Sequence, residues 1–143
     1  MKAQDIMTKD PSSVSPDADV VEAAQIMKRD NVGVVPVVDQ RRLVGVVTDR
    51  DIAIRCIAEG KTGKCQVREV MTEQNLFTCG PNDDVDQIMS TMGREQVRRI
   101  PIVDERGTLL GIVSQADIVR KANDRKAEDT VEKISQPSTR HAQ

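Results

Sequence analysis

Between Val34 and Thr48 nearly every residue is β-branched or apolar, and the main polar interruption is Asp39-Gln40-Arg41-Arg42. Short, nearly unbroken Val-rich runs predict buried strands, here Val34–Val38 and Leu43–Thr48. The Asp39-Gln40-Arg41 step between them predicts a tight turn. Further along, Arg99 to Ser114 repeats this profile, with Asp104-Glu105-Arg106-Gly107 at the turn. Upstream of each strand pair the period changes. Val20, Ala23, Ala24 and Met27 recur at helical spacing, and so do Val85, Ile88, Met89 and Met92. Asp residues before each run suit the positive end of a helix. Ser12–Val14 and Phe77–Cys79 are short strand candidates, each ending near a Pro turn. Downstream, Asp49 to about Ala58 and Gln115 to about Ala122 predict a second helix in each half. Val131 and Ile134 allow the later helix to run on to about Ile134.

The two halves echo each other in residue identity as well as in pattern. Val32 to Ile52 and Val97 to Ile118 match at roughly half their aligned positions. Asp5-Ile6-Met7-Thr8 is answered by Glu69-Val70-Met71-Thr72, and Ser15-Pro16-Asp17 by Gly80-Pro81-Asn82. The chain therefore reads as two copies of a β-α-β-β-α unit, at residues 1–60 and 67–123. A linker at 61–66 joins them and a polar tail at 124–143 follows. Two copies predict a pseudo-symmetric pair rather than an array.

Composition narrows the chemistry. The 143 residues carry a formal net charge of -2 and a single aromatic, Phe77. Base-stacking platforms are absent and the chain is not basic, so nucleic acid is not the expected partner. Cys56, Cys65 and Cys79 form no CxxC pair and are expected as reduced thiols rather than a disulfide framework or zinc site. The lone His141 sits in the tail. No apolar run spans a bilayer and no signal-peptide core opens the chain, so the expected location is cytoplasmic. Gly60-Lys61-Thr62-Gly63-Lys64 lacks the P-loop spacing.

At the strand-to-helix junction the copies read Thr48-Asp49-Arg50-Asp51 and Ser114-Gln115-Ala116-Asp117. Both fit a capping box with Asp in place of Glu, each contributing about 1 kcal/mol. The same groups fit a second use. A carboxylate at such a junction can accept hydrogen bonds from both hydroxyls of a ribose, with unpaired N–H groups nearby for phosphate.

The ordered pattern of Pro-Val-Val-Asp strand, Gly-Val-Val-Thr strand and Asp-Ile helix, present in both copies, resembles the CBS (cystathionine β-synthase) domain. The tandem pair is similar to stand-alone bacterial two-CBS proteins, and the resemblance covers roughly residues 3 to 121. It implies a mixed α/β (α+β) fold of two pseudo-symmetric β-α-β-β-α motifs packed sheet to sheet. It also implies clefts that bind an adenosyl ligand such as AMP, ADP, ATP, NAD or S-adenosylmethionine, and a homodimer of four motifs in a disk. Carried over residue by residue, Asp51 and Asp117 match the family's ribose-binding Asp, and Thr48 and Ser114 its hydroxyl partner. The backbone around Val14 and Thr78, and Val34, Val35, Pro36, Ile100 and Pro101, match the walls that hold adenine.

Family phosphate contacts often come from basic residues before the Pro strand. Arg98 and Arg99 stand there in the second copy, whereas the first has Gly33-Val34. Adjacent strand residues point to opposite faces, so one of the two arginines should face the ligand. Arg50 is a further candidate. No nucleophile–histidine pair, metal cluster, GxGxxG or Walker loop is present, so no enzyme and no required cofactor are expected. The leading reading is a regulatory sensor acting on an unknown downstream protein, away from membranes. The alternative is a dimerisation or interaction platform with no nucleotide, in which the two Asp residues only cap helices.

Overall fold

In the computed structural model, which describes residues 1–62 and 64–122, the chain forms eleven short elements. In order they are α1 (Ala3–Ile6), β1 (Thr8–Lys9), α2 (Val20–Asp30), β2 (Val34–Asp39), β3 (Arg42–Thr48) and α3 (Asp49–Ile52). Then come α4 (Val67–Val70), α5 (Val85–Glu95), β4 (Arg99–Val103), β5 (Leu109–Ser114) and α6 (Gln115–Asp117). Both α3 and α6 continue as a π-helical turn, Ala53–Ile57 and Ile118–Ala122. The predicted run toward Ile134 and the tail lie outside the described residues.

Two compact units result. One is Ser12–Leu76; the other joins Met1–Pro11 to the described residues from Phe77 onward. The head segments of the two sequence copies are thus exchanged. Thr8 and Lys9 pair with Ile112 and Gly111 of β5. Thr72 exchanges backbone hydrogen bonds with Val46 of β3, at 3.0 and 2.8 Å.

In the Ser12–Leu76 unit, β2 and β3 form an antiparallel hairpin with Val34 opposite Thr48. Gln40 and Arg41 have φ of 51° and 73°, as a tight hairpin turn of the primed type requires. The Asp19 carboxylate accepts the Val21 N–H at 3.0 Å to start α2, and Asn31 closes the helix in the left-handed region. Val20, Ala23 and Met27 of α2 bury against Val35, Val37 and Val47 of the hairpin, with Val67 and Val70 of α4 completing the core. The predicted strand Ser12–Val14 reduces to one parallel bridge, Val14 to Val37.

The other unit repeats this plan. β5 sits between β1 and β4. Val85, Ile88, Met89 and Met92 of α5 pack on Ile100, Ile102 and Val113, and Ala3 and Ile6 of α1 take the place that α4 fills in the first unit. Here too the Phe77–Cys79 strand is a single bridge, Cys79 to Ile102. Among the described residues, the helix positions picked out by spacing are buried, Ala24 excepted.

The cysteines depart from expectation. Cys56 and Cys65 are disulfide-bonded, with Cα atoms 6.2 Å apart. Cys56 lies on the π-helical turn after α3, and the chain loops back so that Cys65 precedes α4. A nine-residue separation carries no pairing signal in sequence, so only the fold brings the thiols together. Cys79 remains a free, buried thiol. Burial, and then the charge of Asp83, push its pKa up.

Candidate functional site

Each hairpin ends in the same local construction. Thr48 has extended backbone, and its hydroxyl accepts the Asp51 N–H at 3.0 Å while the Asp51 carboxylate accepts the Thr48 N–H at 3.0 Å. Ser114 and Asp117 repeat both bonds at 3.0 Å. The capping box read from the sequence is therefore formed in both copies. Burial separates these caps from ordinary ones. Asp51 is 8% exposed and Asp117 3%, the only buried charged residues among those described. Aspartate is almost never this buried unless partnered, because a desolvated carboxylate is costly.

Each carboxylate has a further partner, and the two partners differ. The Thr72 hydroxyl donates to Asp51, lying 3.2 and 3.1 Å from the two carboxylate oxygens. In the second copy the Arg120 guanidinium donates to Asp117 Oδ1 and forms an ion pair with it. Neither Thr72 nor Arg120 stood out from local sequence. Thr72 echoes Thr8, which marks it as repeated without giving it chemistry. Arg120 aligns with Ile54 and has no echo at all.

The remaining candidates spread around these junctions. Val14 is buried, with its N–H on the Pro36 carbonyl at 3.0 Å. In the second copy it is the Cys79 N–H that meets the Pro101 carbonyl, at 3.1 Å, so Val14 corresponds to Cys79 and Thr78 is the exposed residue before it. Val35 and Ile100 point into the cores of their own units, whereas Val34 and Pro101 are half-buried. Arg98 and Arg99 are both half-buried, and the Arg98 carbonyl accepts the Gln115 N–H at 2.9 Å. In the first copy the Asp49 N–H bonds the Gly33 carbonyl at 3.0 Å, and a Cβ at Gly33 would lie 3.3 Å from the Asp49 carboxylate. Arg50 is exposed. Where the second copy has Gln115 and arginines, the first therefore has a second carboxylate.

A recess of about 280 Å³ lined by Pro81, Asn82, Asp104, Glu105 and Arg106 lies at the β4–β5 turn and contains none of these residues. Among the described residues no group of three or more His, Cys, Asp or Glu is placed to hold a metal ion. No described helix is long and apolar enough to cross a membrane.

Comparison with known proteins places this geometry. The profile of the CBS domain matches residues 3–57 and 67–124. The CBS domain-containing protein YhcV of Bacillus subtilis (strain 168) is 44% identical over 115 residues, covering 80% of this chain and 81% of that protein. The CBS domain pair of protein MJ0100, solved in complex with 5′-methylthioadenosine and S-adenosyl-L-methionine, superposes with a TM-score of 0.71 at 31% identity. That match covers 86% of this chain and 96% of the other. CBSX2 in complex with AMP superposes at 0.75 with 28% identity, covering 87% and 98%. Two matched segments, each containing the same hydroxyl–carboxylate junction, establish that the chain belongs to the CBS domain family, as a tandem pair.

Proposed function

We propose that this CBS pair is a non-catalytic regulatory module that binds an adenosyl ligand at the Thr48–Asp51 and Ser114–Asp117 junctions. One observation carries the reading: a carboxylate buried to 8% or 3% exposure, in the first turn of a short helix, occurs at the matching place in both copies. A cap alone needs no burial, and a cap is worth only about 1 kcal/mol. A pair of ribose hydroxyls offers such a carboxylate two donors. The solved relatives that bind AMP, S-adenosylmethionine and 5′-methylthioadenosine support the ligand class.

In this reading Asp51 and Asp117 accept the ribose hydroxyls, with Thr48 and Ser114 beside them. Val34, Pro36, Thr78 and Pro101 border the base, and Val14, a buried core residue, borders it through backbone alone. Val35 and Ile100, being core residues, offer only backbone. Arg50, Arg98 and Arg99 serve phosphate where the ligand carries one. AMP, ADP, ATP, NAD and S-adenosylmethionine are the candidates, and the signalling form is a cytoplasmic homodimer. Binding would act on a partner protein by favouring one of two arrangements, to the extent that the ligand's affinity for them differs.

Calorimetric titration with AMP, ATP, NAD and S-adenosylmethionine tests this on the wild type and on Asp51→Ala/Asp117→Ala. Binding of one ligand, lost in the double variant while the variant still melts cooperatively, is the expected result. Absence of heat and of thermal shift with all four would sink it. The second reading would then stand: a platform for protein contact, favoured by the exposed apolar side chains Val21, Ile54, Ile57 and Val119.

A further inference from the structure

We propose that Arg120 is a movable counter-ion on Asp117 that makes the second junction selective for adenosyl ligands carrying a phosphate; this rests on the nucleoside reading above. Arg120 holds one oxygen of Asp117, Oδ1, while the Ser114 N–H holds the other at 3.0 Å. A pair of ribose hydroxyls that takes both carboxylate oxygens must therefore displace the guanidinium from Oδ1 or share that oxygen with it. The two partners are unequally placed for such an exchange. The Asp117 side chain is 5% exposed, but that of Arg120 is 64% exposed. The carboxylate cannot leave, whereas the guanidinium is already mostly in water and sits on a long flexible stem.

The exchange separates ligands by charge. With a nucleoside 5′-phosphate, ribose hydroxyls replace Arg120 on Asp117, and the freed guanidinium turns to the phosphate. The buried carboxylate stays hydrogen-bonded, now to hydroxyls and the Ser114 N–H, and the guanidinium keeps an anion as its partner. With a neutral nucleoside the hydroxyls still replace the guanidinium, but Arg120 gains nothing in return. With a sulfonium ligand Arg120 adds repulsion. The first junction has no such device. Ile54 occupies the position of Arg120, and Asp51 is met by the uncharged Thr72 hydroxyl.

The test isolates the second junction in an Asp51→Ala background and compares AMP with adenosine. Replacing Arg120 by Ala should weaken AMP and strengthen adenosine, so that their affinity ratio falls about tenfold, the scale of one charge-assisted contact. Arg120→Lys should keep part of the AMP preference. Raising the salt should reduce that preference more steeply in the Arg120 protein than in Arg120→Ala, which keeps only the other arginines for the phosphate. A purely structural Arg120 would shift both ligands in the same direction, so an unchanged ratio in Arg120→Ala overturns the proposal whatever happens to its melting temperature. If the protein with Asp51 intact binds AMP and the Asp51→Ala protein binds neither ligand, the second junction is empty. The proposal then falls while the nucleoside reading survives at Asp51. If neither protein binds either ligand, both fall.

Discussion

Asp51 and Asp117 hold identical places in their helices, yet one meets a hydroxyl and the other a guanidinium. The difference comes from side chains outside the four-residue signature, which is why the signature alone reads as two equal sites. The cysteines make the same point. Cys56, Cys65 and Cys79 look alike in the sequence, but the fold bonds the first two and buries the third. Native protein should therefore show no fast-reacting thiol, since Cys79 is buried and its thiolate is disfavoured by burial and by Asp83. Denaturation without reductant should expose one thiol, and denaturation after reduction all three, as counted by alkylation and mass spectrometry. Closing a loop of nine residues stabilises by about 2.5 kcal/mol in the chain-entropy account. Urea melts should accordingly weaken by about that much in Cys56→Ser/Cys65→Ser. Three alkylated thiols without reductant would show that the bond is not made.

Among the elements, the long amphipathic helices and the Val-rich hairpins were legible because their periods extend over many residues. The helices α1 and α4 were not, since four residues make one turn and show no period. Their sequences nevertheless announced themselves by repetition, Asp5-Ile6-Met7-Thr8 against Glu69-Val70-Met71-Thr72. Repetition says that a segment matters but not which sheet it packs on. The glycines at the centre of each second strand record that packing. A Cβ on Gly45 would lie 2.7 Å from the Thr72 carbonyl, and one on Gly111 would lie 2.7 Å from the Thr8 carbonyl. Thr72 is held there by two backbone bonds to Val46, and from that seat its hydroxyl reaches Asp51. Gly45→Ala should thus cost about 1–3 kcal/mol, as overpacking against fixed backbone does, and should weaken ligand binding at Asp51. Gly33→Ala, whose new methyl would meet only the movable end of Asp49, should stay within about 0.5 kcal/mol. Equal melting curves for the two variants would refute the claim that the head segment is seated by the glycine.

For the whole molecule, the exchange of head segments makes the two units unequal in how they depend on the chain. Ser12–Leu76 is continuous and carries its own α4, disulfide and Thr72. The other unit depends on its first eleven residues. Ala3 and Ile6 are essentially fully buried there, β1 extends its sheet, and the Val85 N–H at the start of α5 bonds the Met1 carbonyl at 2.9 Å. The Ala3 N–H adds a bond to the Asp83 carbonyl at 2.9 Å. Removing Met1–Pro11 would expose the core beneath Ile6 and leave an edge of β5 unpaired. The loss of one buried Ile alone is worth about 2–3 kcal/mol. Together with the lost strand and helix-end bonds, this approaches the whole stability of a small domain. Hydrogen exchange on the truncated chain should then show β4 and β5 unprotected while β2 and β3 keep their slow amides. Nucleotide binding that depends on Asp117 should vanish and binding that depends on Asp51 should persist. Equal loss of protection in both hairpins would mean that the units unfold together, and that the damage at one head segment reaches the junction built around the other.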